Sequence, residues 1–189
     1  MLDTNHADET GDPAALLPVA AAAAIQRPGG VLPTEPAARV MTDFTRDLPV
    51  TVTADRLIDE ALRDMIVAGV RALLVVRADS VVGLITSYDI QGERPLQFLA
   101  ASGFSRHDEI SVGHIMTPWA EVTKLDMEWV SRARVADVDR HFRRTLASHI
   151  VVTERGGGGE MIRGLFSRTR IGPIGPRFSL MPRRRSSSR

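Results

Sequence analysis

The sequence predicts an α/β fold made of two copies of one β-α-β-β-α unit that pack on each other. The order strand, helix, strand, strand, helix is read between residues 36 and 104, and it returns between residues 105 and 172. The pairs Met41-Thr42 and Met116-Thr117 lie 75 residues apart, and Gly83 and Gly164, which open "GLIT" and "GLFS", lie 81 apart. Such a duplication indicates that neither half buries its sheet alone.

In the first half, a strand is predicted at residues 48–52 and a helix at residues 54–70, with Gly69 as its stop. The apolar face of this helix comprises Leu57, Ala61, Leu62, Met65 and Ile66. Two apolar runs within residues 71–86 predict a hairpin. Residues 89–103 are predicted to be helical in two pieces, because Gly92 and Pro95 interrupt them.

In the second half, "HIMTPWAEVTKLD" opens as the first copy does, and a longer hairpin with four glycines in its turn spans residues 149–167. Between them, one helical face is predicted from the spacing of its apolar residues, which are Val135, Val138, Phe142 and Leu146.

Composition excludes several classes of function. The 189 residues include no cysteine, which rules out disulfides, thiol chemistry and cysteine-bound zinc. A net charge of +1 argues against a general nucleic-acid binder, and no apolar run reaches the length of a membrane span. The five histidines lack metal-binding spacing, and we find no catalytic set. A non-enzymatic cytoplasmic protein with no metal site is therefore expected.

The two ends differ from the repeats in composition. Residues 1–35 are rich in Asp, Pro, Gly and Ala, and residues 173–189 are basic and rich in Pro and Ser. Both ends are predicted to be disordered. This leaves residues 36–104 as the first repeat and residues 105–172 as the second.

The paired motifs "VMT…GLITSYDI" and "IMTP…GLFSRTRI" resemble the cystathionine-beta-synthase (CBS) domain in tandem, the arrangement called a Bateman module. The resemblance implies a pseudo-twofold α/β disc with two clefts between its halves. It also implies an adenosine-type ligand (AMP, ATP or S-adenosylmethionine), a homodimer of two such modules, and regulation of a protein partner that the sequence does not identify.

Thr86 and Asp89 allow two interpretations. Thr86 can cap the helix that follows the strand, with Asp89 complementing the helix dipole. Alternatively, the two side chains face one ligand, since a carboxylate can accept hydrogen bonds from two adjacent hydroxyls and helix N-termini attract anions. The resemblance favours the ligand, with Thr86 near phosphate and Asp89 on the ribose.

The resemblance also implies that the opposite half completes this cleft, near Val122 and at Ala147, Ser148 and His149. The second copy departs from the pattern, because Arg170 stands where Asp89 stands in the first. An arginine cannot accept hydrogen bonds from ribose hydroxyls, although Ser167, Arg168 and Arg170 could hold a phosphate.

Two functions follow from these residues. The first is a regulatory module that binds an adenosine-type nucleotide at Asp89 and responds by a change of shape or of partner. The second is a dimeric interaction scaffold without a small-molecule ligand, which Arg170 favours.

Overall fold

The computed structural model describes residues 31–78, 80–157 and 159–172. The predicted ends, apart from residues 31–35, lie outside these ranges. In the first half, the described elements are β1 (Thr42–Asp43), β2 (Thr51–Thr53), α1 (Ile58–Ala68), β3 (Ala72–Arg77), β4 (Ser80–Thr86), α2 (Ser87–Gln91) and α3 (Arg94–Ala101). The predicted strand at residues 48–52 is thus shorter and begins later.

In the second half, the described elements are α4 (Val112–Ile115), β5 (Thr117–Pro118), β6 (Lys124–Asp126), α5 (Met127–Arg132), α6 (Val135–Thr145), β7 (His149–Gly156), β8 (Gly159–Ser167) and α7 (Arg168–Ile171). The strand, helix, hairpin and helix therefore occur in the same order in both halves. The predicted α/β fold of two repeats is confirmed. Helix α5 has no α-helical counterpart between β2 and α1 in the first half, and the sequence did not predict it.

Each of the two four-stranded sheets takes one strand from the other repeat. The first has the order β2-β3-β4-β5, and the second has the order β6-β7-β8-β1. In both sheets the first two strands are parallel and the hairpin is antiparallel. The exchanged strands β1 and β5 carry the Met-Thr threonines, Thr42 and Thr117. This exchange ties the two repeats together.

The backbone hydrogen bonds between the repeats are reciprocal. Ala37 N donates to Ala133 O, and Val112 N donates to Arg56 O in the other direction. Likewise Val135 N donates to Glu35 O, while Ile58 N donates to Ile110 O. Equivalent segments thus exchange equivalent bonds, as the predicted pseudo-twofold arrangement requires.

The described fold begins before the predicted boundary at residue 36. Pro33 O accepts a hydrogen bond from Ala136 N, and Val31 packs against the buried cluster of the second repeat. Pro36 forms an isolated antiparallel bridge with Arg134. Residues 31–36 therefore belong to the packed fold, because they satisfy backbone groups at the start of α6.

Helix ends explain which predictions of burial succeed. Gly69 ends α1 in the left-handed conformation with φ of 67°, as predicted. Ile58, Ala61 and Met65 are buried, but Leu57 precedes the helix and Ile66 is 71% exposed, so their predicted place on the buried face was wrong. Leu146, predicted to share a helical face with Val135, Val138 and Phe142, follows the last residue of α6 and is 81% exposed.

Candidate functional site

Thr86 and Asp89 lie where β4 ends and α2 begins. Thr86 is the last residue of β4 and the N-cap of α2, and its side chain is buried. It pairs with Ala72 across the hairpin. The strand therefore fixes the position of Thr86, and the first turn of α2 brings Asp89 back beside it.

These two side chains form a capping box. Asp89 Oδ2 accepts hydrogen bonds from Thr86 N at 2.8 Å and from Thr86 Oγ1 at 2.7 Å. Asp89 N in turn donates to Thr86 Oγ1 at 3.3 Å. The predicted cap is present, with Asp89 acting directly on the cap residue rather than only through the helix dipole. The Thr86 hydroxyl proton is used within the box, so the hydroxyl can meet a ligand only as an acceptor or by releasing Asp89.

The other oxygen of Asp89 faces an arginine. Arg94 Nε lies 3.1 Å from Asp89 Oδ1, and the carboxylate is 14% exposed. Arg94 Nη1 also donates to Ile115 O at 2.8 Å and to Thr117 Oγ1 at 3.1 Å. Arg94 therefore links the capping box to β5, the strand that the second repeat contributes to the first sheet.

Of the predicted residues of the opposite half, Val122 contacts the first hairpin, while Ala147 packs on the buried cluster of the second repeat. Val122 is buried in the apolar cluster that includes Ala72, the partner of Thr86 in the sheet. Ala147 and Ser148 are half-buried, and His149 is buried at the start of β7. Val122 thus reaches the first hairpin by apolar packing, whereas His149 interacts with it electrostatically, through the charge of Arg71.

Arg71 immediately precedes β3, and Arg71 O accepts a hydrogen bond from Ser87 N at the start of α2. The charge of Arg71 acts on His149. Sequence analysis missed Arg71 and Arg94. The duplication could have suggested Arg71, since it stands at the start of its hairpin as Ser148 does, but no local pattern points to Arg94.

His149 is held neutral at pH 7. Burial, with a smaller contribution from the positive charge of Arg71, lowers the pKa of its imidazole from 6.5 to about 4. Its Nδ1 lies 3.0 Å from Ser148 Oγ, within hydrogen-bonding distance. A neutral imidazole beside a hydroxyl can donate or accept one hydrogen bond, but it adds no positive charge for a phosphate.

The depressed pKa predicts a loss of stability in mild acid. The unfolded chain binds a proton at His149 more readily, so this contribution to stability is complete above pH 6.5 and is lost as pH falls towards about 4. The slope is at most about 1.4 kcal/mol per pH unit. Urea unfolding at pH 7, 6 and 5 should give a steeper decline for wild type than for His149→Asn. An equal decline of stability with pH in wild type and His149→Asn would contradict the lowered pKa of His149.

In the second copy, Arg168 and Arg170 both donate hydrogen bonds to other residues of the chain. Arg168 Nε donates to Ala147 O at 3.1 Å, and its Nη2 donates to Phe142 O near the end of α6. Arg170 Nη1 donates to Thr42 Oγ1 at 3.0 Å, which mirrors the bond from Arg94 to Thr117. Ser167 Oγ lies 2.9 Å from Thr169 Oγ1. A phosphate at Ser167, Arg168 and Arg170 stays a prediction, and it would have to displace these bonds.

Within residues 31–78, 80–157 and 159–172, no group of three His, Asp or Glu side chains could hold a metal ion. No helix there is long and apolar enough to cross a membrane. A surface pocket of 380 Å³ lies between α5 and α6, and another of 720 Å³ lies beside Asp55, Arg77 and His114. Neither pocket includes Thr86 or Asp89.

Comparison with known proteins identifies the fold. Residues 37–94 match the model of the CBS domain family. No curated protein sequence matches the chain. Among solved structures, the chain is similar to an uncharacterized conserved protein from Pyrococcus horikoshii, with 22% identity, a TM-score of 0.53, and coverage of 75% of this chain and 92% of that one.

Two further solved structures are similar. The CBS domain NE2398 shares 20% identity over 68% of this chain and 89% of its own, with a TM-score of 0.50. CBSX2 in complex with AMP shares 21% identity over 72% and 93%, with a TM-score of 0.47, a likeness that says nothing about the ligand of this chain. Residues 37–94, within the first repeat, therefore match the CBS domain family, and the second repeat has the same order of elements, in a fold shared with the solved structures.

Proposed function

We propose that this chain is a regulatory, non-catalytic module that binds an adenosine-type nucleotide, such as AMP, ATP or S-adenosylmethionine, at Thr86 and Asp89. The observation that carries the proposal is the arrangement of the Asp89 carboxylate. Thr86 fixes one oxygen, while the other has a single described partner, Arg94. A carboxylate offers about four acceptor positions, so this one keeps capacity for a ribose hydroxyl.

Recognition would use Asp89 and Arg94 together. The two ribose hydroxyls can donate to the Asp89 carboxylate, and Arg94 can turn from Asp89 towards a phosphate oxygen. Because Arg94 also bonds Ile115 O and Thr117 Oγ1, its movement would change the attachment of β5 to the first sheet. Binding at the first repeat would then alter its contact with the second, which supplies a route for signalling.

One occupied cleft per chain is part of the proposal. Arg170 occupies the position of Asp89 in the second copy, and its guanidinium contacts Thr42. A guanidinium has donors only, so it cannot replace a carboxylate as the acceptor for ribose hydroxyls. We therefore assign the ribose to the first cleft alone.

A thermal-shift screen with AMP, ATP and S-adenosylmethionine tests the proposal. A ligand present at about 100 times its dissociation constant adds about 2.7 kcal/mol of stability, which corresponds to a rise in Tm of roughly 5–11 °C for a chain of this size. Guanosine and cytidine nucleotides at equal ionic strength are the control. Equal melting temperatures with and without every adenosine ligand would reject the nucleotide function.

A ligand-free dimeric scaffold is the second candidate, and two observations favour it. In the second copy, Arg170 stands where Asp89 stands in the first, so that position offers no acceptor for ribose hydroxyls. Helix α1 also exposes two neighbouring aliphatic residues, Ile66 at 71% and Val67 at 89%. Arg63 and Glu60 lie on the same exposed side, so two copies related by a twofold axis could pair these charges around an apolar centre.

The homodimer is expected to depend on this face of α1. Ile66→Glu would place a carboxylate in the apolar centre, and light scattering should then give a mass near 20.6 kDa, that of one chain. Leu146→Glu is the matched control, because Leu146 is an equally exposed aliphatic residue just beyond α6. A dimer that survives Ile66→Glu, or a wild type of 20.6 kDa at micromolar concentration, would contradict this interface.

A further inference from the structure

A basic pocket lies between α5 and α6, away from Thr86 and Asp89. It has a volume of 380 Å³, and its walls include Trp129 and Arg132 from α5 and Asp137, Arg140, His141 and Arg144 from α6. The α6 residues recur at spacings of three and four, so they form one stripe along the helix facing α5. Three guanidinium groups therefore converge on one concave site that holds a single carboxylate.

The local ion pairs leave most of this positive charge available. Arg132 pairs with Glu128 at 2.9 Å and Arg140 pairs with Asp137 at 3.2 Å, both on the exposed surface. Exposed pairs of this kind are weak, and each arginine has five N–H donors of which a carboxylate uses at most two. No side-chain hydrogen bond or ion pair joins Arg144 to another of the described residues. The pocket is thus rich in donors and poor in acceptors.

The fold itself does not require these cations. Val135 and Ile58 begin α6 and α1 and make the equivalent backbone hydrogen bond, so residues 77 apart correspond in the two helices. On this correspondence, Arg144 matches Val67 and His141 matches Asp64, while only Arg140 matches another arginine, Arg63. The first repeat builds the same helix with an apolar and an acidic residue at these positions. The fold can therefore form this helix without Arg144 and His141, which is consistent with a role for these residues in binding.

Trp129 gives the pocket an apolar wall. Its indole packs against the buried cluster of the second repeat and meets the His141 ring edge-on, with 4.9 Å between centroids. We propose that this pocket binds a phosphate-bearing small molecule, with Arg140 and Arg144 on the phosphate and Trp129 beside it. Arginine forks match phosphate oxygens in bidentate fashion, and two or more guanidiniums balance a dianion.

Pyrophosphate titration with tryptophan fluorescence as the readout tests this site. The experiment uses the full chain carrying Trp119→Phe, so that Trp129 is the single fluorophore among the two tryptophans of the sequence. We expect a saturable change in fluorescence, with affinity about tenfold weaker in Arg144→Gln, as loss of one charge-assisted hydrogen bond implies. Calorimetry then compares the pyrophosphate affinities of wild type and Arg144→Gln in chains that keep both tryptophans.

Arg63→Gln is the matched control, because it removes the same charge from the corresponding helix of the first repeat. Its affinity for pyrophosphate should equal that of wild type, and the melting temperature of Arg144→Gln should be unchanged. Equal weakening by Arg63→Gln and Arg144→Gln would contradict a built site, as would a fluorescence change that sodium chloride reproduces at the same ionic strength. Loss of the signal in Asp89→Asn alone would move the site to the first cleft and overturn the proposal.

Discussion

Replacing Gly83 by alanine is expected to lower the free energy of unfolding by about 1–3 kcal/mol, the usual cost of overpacking. A Cβ at Gly83 would lie 2.7 Å from Thr117 O and 2.8 Å from Met116 Sδ, so β5 would have to move away from β4. Gly164→Ala should act in the same way on the other sheet, where a Cβ would meet Thr42 O and the Met41 side chain. These two glycines allow the strand exchange.

Gly103→Ala is the matched control, since a Cβ there meets nothing within 4 Å. Urea unfolding of the three variants should show a loss of stability for Gly83→Ala and Gly164→Ala and a change within about 0.5 kcal/mol for Gly103→Ala. Wild-type stability in both exchange variants would mean that the Met-Thr strands do not pack closely on the partner sheets, against the described pairing.

Asp89→Asn is expected to weaken nucleotide binding by roughly tenfold to a hundredfold, because hydrogen bonds to a charged acceptor contribute about 1.5–3 kcal/mol. Asparagine keeps one oxygen that can accept from Thr86, so the capping box largely survives and the loss of affinity reflects the ligand. Asp89→Ala would be less informative. It removes the acceptor of the buried Thr86 hydroxyl as well as the partner of Arg94, and the fold would lose stability too.

Arg170→Gln is the control for Asp89→Asn, because it alters the equivalent position of the second copy. Its nucleotide affinity should stay within about twofold of wild type, which is less than 0.5 kcal/mol. Calorimetry with the nucleotide chosen by the thermal-shift screen provides both measurements. Equal affinity in wild type and Asp89→Asn would leave the Thr86–Asp89 pair as a cap and nothing more.

Much of the fold could be predicted from the sequence because the duplication is visible in both its motifs and its order of elements. Gly69 as a helix stop and the hairpin after Arg71 follow from local chemistry that the structure also has. The strand exchange could not be predicted in the same way. Strands β1 and β5 have two residues each, too short for an alternating pattern, and their pairing is set by distant partners.

The errors in predicted burial have a local cause. Ile66 and Leu146 fit the apolar spacing of their helices, but each stands in the last turn or just after it. Met65, also in the last turn of α1, is only 1% exposed, so Ile66 lies outside the buried part of the apolar face, while Leu146 lies beyond the end of α6. Apolar periodicity gives the direction of a face, but a residue at its edge or beyond the helix end can stay exposed.

The candidate site was only partly visible in the sequence. Thr86 and Asp89 stand three residues apart after a strand, and this spacing correctly predicted that they meet. Whether Asp89 binds only Thr86 or also a ligand depends on which other groups contact its carboxylate. Arg94 does so from the start of α3 and connects it to Thr117, 23 residues further along the chain, which no local spacing indicates.

A crystal structure with the screened nucleotide at saturation tests directly whether Asp89 holds the ribose. We expect ribose hydroxyl oxygens about 2.5–3.0 Å from an oxygen of Asp89, with Arg94 turned from the carboxylate towards phosphate. We also expect no ribose beside Arg170. A nucleotide bound at Ser167 and Arg170, while Asp89 still holds both Thr86 and Arg94, would contradict it.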